Sequence, residues 1–165
     1  MADAVTAVLG LGGNLGDREA TIHAAIEDLK AIDGIKVKKV SPLVESFAVT
    51  PEGIDETKPK YLNGVVIIKT TLKPKALLAA VREIETKHGR VRLSRWGSRT
   101  LDIDILVHGD TFKDSKELML PHPRAYERAF VLVPWGLADP EAVIPGHGKV
   151  VDLAEPVKNQ VWLAK

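Results

Sequence analysis

The chain has no cysteine, which excludes disulfides and thiolate metal sites. Aromatic residues are scarce. Three tryptophans, two tyrosines and three phenylalanines are spread over 165 residues, so any that falls in a polar motif is informative. No apolar run approaches the roughly 20 residues that cross a bilayer as a helix. Met1-Ala2-Asp3-Ala4 lacks a basic stretch followed by a long apolar one, so no signal peptide is expected and a cytoplasmic protein is the default. An excess of one charge is lacking too. The net charge is +1 and the pI about 8.0, which gives no case for bulk binding to nucleic acid or membrane. There is no internal repeat and no low-complexity stretch. What remains is 45% apolar and 27% charged, the balance of an ordinary soluble protein. The length suits a single domain over residues 1–165.

Against this even background one stretch stands out. Residues 90–104 read R-V-R-L-S-R-W-G-S-R-T-L-D-I-D. Asp102 and Asp104 alternate with apolar residues, so on a strand both point to one face, roughly 7 Å apart. A solvated strand face alternates in the same way. Aspartate, however, is depleted from strands, and two on one face repel unless a cation neutralises them. The pair therefore points to a hard divalent cation such as Mg²⁺, which favours a few carboxylates plus substrate phosphates. Arginine supplies the planar fork that matches phosphate oxygens. An arginine run alone reads as a solvated loop. Here no acidic residue occurs from 87 to 99, so basic charge is concentrated beside the aspartates and a phosphate-rich ligand is indicated.

The rest of the chain supplies the frame. An apolar run over 5–11 ends in glycines and reads as a strand. Asp17 is a natural cap for a helix with Ile22, Ile26, Leu29 and Ile32 at helical spacing, closed by Gly34. Residues 35–47 read as a second strand broken by Pro42, and 50–59 as a polar loop. Residues 62–72 form the clearest strand. Pro74 suits the first turn of a helix whose apolar face is Ala76, Leu77, Ala80, Val81 and Ile84, ending at Gly89. A strand over 101–108 carries the aspartates. A last helix is expected over 123–132, and a short strand over 150–153 in a tail rich in proline and glycine. The order β-α-β-β-α-β predicts an α+β fold of the ferredoxin-like type. In it an antiparallel sheet carries two helices on one face, with C-terminal additions.

Gly10, Gly12, Gly13 and Gly16 suggest a nucleotide loop, but Leu15 stands where a dinucleotide fingerprint needs its last glycine, and no Gly-Lys-Ser/Thr follows. They read as a tight turn before the first helix. A non-enzymatic alternative is an RNA- or nucleotide-binding module, since sheets of this order can stack bases on aromatics. The aromatics are not gathered in a basic-aromatic strand motif, and Asp102 and Asp104 would repel phosphates without a metal.

The segment Gly89-Arg90-Val91-Arg92, followed by Arg95-Trp96-Gly97-Ser98-Arg99-Thr100-Leu101-Asp102-Ile103-Asp104, strongly resembles the signature of the 6-hydroxymethyl-7,8-dihydropterin pyrophosphokinase family of the folate pathway. Gly12-Gly13-Asn14-Leu15, Tyr61-Leu62-Asn63, Pro121-His122-Pro123-Arg124 and Arg128-Ala129-Phe130-Val131-Leu132 match other family landmarks in the right order. The resemblance runs over about residues 8–140. It implies transfer of the β,γ-diphosphate of ATP to the hydroxymethyl group of the reduced pterin, with release of AMP. ATP would be co-substrate, two Mg²⁺ ions the cofactors, and the protein a monomer or homodimer.

Carried over residue by residue, the resemblance makes Asp102 and Asp104 the metal ligands and Arg90 and Arg99 the arginines that neutralise the triphosphate. Arg92 and Arg95 would reach phosphate when their loop closes as a lid. Glu85, His122 and Arg128 would face the nucleotide. Tyr61 and Phe130 would stack on the pterin, Asn63 would read its edge, and Trp96 would cover the pocket. The family's Y-x-T-x-P-x-G segment is altered here. Residues 44–50 lack its tyrosine, proline and glycine, which leaves backbone contacts from Ser46 and Val49. Tyrosine commonly follows the family histidine, and here Pro123 stands there.

Overall fold

The computed structural model describes residues 3–14, 17–50, 52–57, 60–89 and 101–164. The first strand, β1, is Val5–Gly13, and helix α1 is Arg18–Lys30. Asp17 caps α1 by accepting from the backbone N–H of Ala20 at 3.1 Å, satisfying one orphan donor of the first turn. Ile22, Ala25, Ile26 and Leu29 form its buried stripe. The connection to β2 (Ile35–Val40) turns at Gly34, whose φ of +90° suits glycine.

Pro42 breaks the next strand as expected. β2 ends there and β3 (Val44–Ser46) resumes. Ser41 bridges the gap, donating its N–H to the carbonyl of Val65 and accepting the N–H of Val65 on its hydroxyl. Part of the expected polar loop is a small hairpin of β4 (Ala48–Thr50) and β5 (Gly53–Asp55). Strand β6 (Tyr61–Thr70) leads to α2 (Pro74–Lys87), which opens on its proline and buries Leu77, Val81, Ile84 and Glu85. Strand β7 is Asp102–His108. A hairpin of β8 (Lys113–Asp114) and β9 (Met119–Leu120) follows, then a 3₁₀ turn at Ala125–Glu127 and helix α3 (Ala129–Ala138). The chain continues through β10 (Val143–Ile144), β11 (Gly148–Lys149), α4 (Val150–Ala154) and β12 (Trp162–Leu163).

The main sheet runs β12-β3-β6-β1-β7, with β2 also on β6, and every pairing is antiparallel. Its alternation separates two cores. Ala7, Leu9, Leu11, Val66, Ile68, Ile103 and Ile105 meet α1 and α2 on the first face. Val8, Val65, Ile67, Leu106 and Val107 meet α3, α4 and the segment between them on the second. A register shift opposite Val8 and Leu9 adds one residue to β7, so Leu106 and the following Val107 both enter the second core.

Two expectations for the C-terminal part need correction. The last long helix spans 129–138 rather than 123–132. It runs through Pro134 because Val131, Leu132, Pro134 and Trp135 are all buried, and packing outweighs the hydrogen bond that proline removes. Residues 150–153 lie in a helix rather than a strand. Gly136 lets it approach, since a Cβ there would come within 3.2 Å of Val151 Cγ1. Together α3 and α4 cover the face that an open two-layer sheet would leave bare.

Candidate active site

The two aspartates point where their alternation predicted. Both are half-buried on the second face of β7, with Asp102 opposite Gly12 and Asp104 opposite Gly10 on β1. Neither glycine puts a side chain between the carboxylates and the strand beyond. Gly12 also pairs with Asn63 on β6, so Asp102, Gly12 and Asn63 form one row across three strands. With strands 4.7–4.9 Å apart, about 10 Å separates the backbones of the carboxylate and the amide. Gly12 makes room for the amide in that row, because a Cβ there would overlap the amide oxygen of Asn63. In the sequence alone Gly12 reads as part of a tight turn. Its true role could have been suspected only from glycines at i, i+2 inside an apolar strand.

His122 reaches the aspartates from the loop after β9. Its backbone N–H donates to the carbonyl of Leu106 at 2.8 Å, which ties it beside β7. Its Nδ1 accepts the backbone N–H of Arg124 at 3.2 Å, so the neutral ring carries its proton on Nε2. Burial lowers the imidazole pKa, Asp104 opposes that, and Arg128 and Arg124 add to the lowering. The ring is thus a neutral donor at pH 7. Burial also lowers the Arg128 pKa from its ordinary 12.5, with Asp104 the main opposing influence and Asp102 a weaker one. Arg128 immediately precedes α3, and its guanidinium lies 5.5 Å from the ring centre of Phe130 in the first turn.

Tyr61 opens β6, in register with Ser46 on β3. Both are half-buried. Tyr61, Asn63 and Val65 share a face of β6 by alternation, which places Tyr61 on the second face. Phe130 packs there against both the second core and a small cluster of Val44, Ala129 and Val161. Val49 lies in β4, paired with Ile54 rather than with the main sheet. Glu85 differs from the other candidates. It is buried in α2, with its Oε2 accepting the N–H of Ile103 at 2.8 Å and its Oε1 held by Arg82 at 2.9 Å. Arg90, Arg92, Arg95, Trp96 and Arg99, and with them the expected lid, lie outside the described residues.

Among the described residues no group of three or more His, Cys, Asp or Glu side chains could hold a metal ion. Two carboxylates on a strand face suit Mg²⁺, which binds through one or two carboxylates and completes its shell with water and phosphate. The donor set therefore fits a magnesium–phosphate ligand and fits a closed all-protein metal cage poorly. With a neutral imidazole donor and a half-buried guanidinium beside them, the chemistry available is neutralisation and orientation of a polyphosphate.

Fold and site together define an α+β protein with an antiparallel sheet, helices on both faces and paired carboxylates beside the Arg128 guanidinium and a neutral imidazole. The particular family is given by sequence. Residues 8–140 match the model of the 7,8-dihydro-6-hydroxymethylpterin-pyrophosphokinase family, and the chain belongs to that family. A 2-amino-4-hydroxy-6-hydroxymethyldihydropteridine pyrophosphokinase from Synechocystis is 40% identical over 158 residues, covering 94% of this chain and 78% of that protein. One of the same name from Methylorubrum extorquens is 42% identical over 141 residues, covering 86% and 87%. The crystal structure of wild-type Plasmodium falciparum HPPK-DHPS with pteroate has a TM-score of 0.69 at 16% identity. The match covers 94% of this chain and 43% of that one, so this chain spans less than half of it, and the likeness is one of fold.

Proposed function

We propose that the chain transfers the β,γ-diphosphate of ATP to the hydroxymethyl oxygen of 6-hydroxymethyl-7,8-dihydropterin, releasing AMP in folate synthesis. The observation that carries this reading is the row Asp102–Gly12–Asn63, which sets a hydrogen-bonding amide two strands away from a phosphate-directed carboxylate. Such a transfer asks for positioning and charge neutralisation, with little covalent work from the protein.

Asp102 and Asp104 would hold two Mg²⁺ ions with the ATP phosphates. Bound there, the ions supply charge neutralisation at the attacking and leaving oxygens. Arg128 and the Nε2–H of His122 bind phosphate oxygens from the α3 side. Asn63 reads the pterin edge, with Ser46 and Val49 adding backbone contacts, and Tyr61 and Phe130 hold its plane. Arg90 and Arg99 take the triphosphate charge, Arg92 and Arg95 add to it, and Trp96 covers the pterin. The reading includes one domain over 1–165, a cytoplasmic protein and a monomer or homodimer acting on small molecules without nucleic acid. No helix among the described residues is long and apolar enough to cross a membrane.

The test is direct. Incubation with ATP, Mg²⁺ and the hydroxymethyl-dihydropterin should yield AMP and the pterin diphosphate. Formation of ADP, or no pterin-dependent turnover, would overturn the reading.

A further inference from the structure

Among the described residues β7 is the last strand of the sheet, and one edge of its backbone pairs with no strand among them. An edge N–H needs another acceptor when it is buried. At Ile103, the residue between the two aspartates, that acceptor is the carboxylate of Glu85 at 2.8 Å. The Glu85 side chain is 2% exposed. A carboxylate buried to that degree is costly unless its oxygens are occupied. Here Oε2 takes the strand N–H and Oε1 takes the Arg82 guanidinium at 2.9 Å. Arg82 lies one turn earlier on α2 and is itself half-exposed, so helix, carboxylate and strand form one continuous connection. On its other side, the Ile103 position is set by pairing with Leu11 on β1.

Ile103 is the pivot of the aspartate pair. The pleat at this residue sets the spacing and tilt of the Asp102 and Asp104 carboxylates. A strand gripped only from β1 could twist there, as edge strands do. We propose that Glu85 is a positioning residue that clamps the Ile103 pleat, and thereby sets the carboxylate spacing on which divalent-cation binding depends. This inference rests on the metal role given to Asp102 and Asp104 above. It assigns Glu85 to the strand instead of the nucleotide. Groups that orient metal ligands typically change affinity by about 10–100-fold when removed.

The experiment compares Glu85→Gln, which keeps an oxygen acceptor, with Glu85→Leu, which fills the space without one. Amide hydrogen exchange of the protein without ligands is read by NMR. Broadening of signals near residues 102–104 by Mn²⁺ is titrated in parallel, and AMP formation is measured against Mg²⁺ concentration. In the leucine variant Ile103 exchange should quicken at least about tenfold, and half-saturation by either cation should move up at least about fivefold. Leu11 and Ile68 should remain protected. The glutamine variant should stay within about twofold of wild type in all three measurements. Equal loss of cation and nucleotide binding in the glutamine variant, with Ile103 still protected, would make Glu85 a direct ligand contact and overturn the proposal. An unchanged Mn²⁺ titration in the leucine variant would overturn it as well. Should that variant not fold, Glu85→Ala, which also removes the acceptor of the Ile103 N–H, must shift the Mn²⁺ midpoint upward; no shift refutes the clamp. Wild-type protein that binds Mn²⁺ at 102–104 yet forms no AMP would instead refute the proposed function and leave the clamp to be judged by exchange and Mn²⁺ alone.

Discussion

The amide oxygen of Asn63 on β6 lies where a Cβ at residue 12 of β1 would stand. The two residues are paired across neighbouring strands, and Asp102 pairs with residue 12 from the other side. Gly12→Ala should therefore push the amide away from its seat while leaving the carboxylates in place. Pterin affinity should fall at least about tenfold, the scale of one lost charge-free hydrogen bond with an unpaired group left behind. Mg-ATP affinity should stay within about twofold. Isothermal calorimetry with each ligand separately checks this, and equal losses for both would mean that the sheet itself had shifted.

Asp102→Asn and Asp104→Asn keep shape and remove charge. Each should lower turnover at least about a hundredfold at saturating Mg²⁺, since a metal clamp supplies several kcal/mol of charge stabilisation. Circular dichroism should be unchanged. Near-normal kcat in either variant would remove that residue from the metal site.

Tyr61→Ala and Phe130→Ala should weaken pterin binding by about fivefold or more, corresponding to roughly 1 kcal/mol for an aromatic stack beyond its buried area. Nucleotide binding should hold for Tyr61→Ala. Phe130 also touches both C-terminal clusters, so its loss should lower the melting temperature as well. Fluorescence titration and thermal unfolding separate the two effects.

A pH dependence of stability follows from the α1–α2 contact. Asp28 accepts from Lys87 at 2.6 Å and lies 2.8 Å from His88 Nε2. The lysine contact, ahead of an opposing effect of burial and with help from His88, holds the Asp28 carboxyl below its ordinary 3.8. A carboxyl more acidic in the folded chain than in the unfolded one stabilises fully above the unfolded value. That stabilisation is lost as pH falls through the folded value. Urea unfolding of wild type and Asp28→Asn should thus differ at pH 7 and converge at low pH. A gap that stays constant into acid would show that the contact works through packing alone.

The sequence made the first layer legible and hid the second. α1 announces itself by an aspartate cap and a clean stripe, α2 by its leading proline, and β7 by alternation. These signals are local and depend on periods of 3.6 or 2. α3 is apolar nearly all round, so it has no stripe to read, and Pro134 argues against the turn it occupies. The elements after residue 140 are too short for any period. Within the site, the shared face of the aspartates follows from spacing alone. The seat of Asn63 over Gly12 and the burial of Glu85 are contacts between distant segments. Nothing near Glu85 distinguishes it from an exposed helix glutamate with an arginine one turn before it.

Arg128 and Phe130 are carried on the same helix end, two positions apart, one proposed for the nucleotide and the other for the pterin. A rigid tilt of α3 would move both contacts as a unit, whatever the strands beneath it do. Trp135 is fully buried near the far end of that helix and packs it against the second core. Trp135→Phe should consequently degrade the affinities for the two substrates in proportion, a correlated loss that no substitution on β6 or β7 should reproduce. Parallel titrations of both ligands would reveal the lever, and a loss confined to one ligand would show that the two contacts move independently.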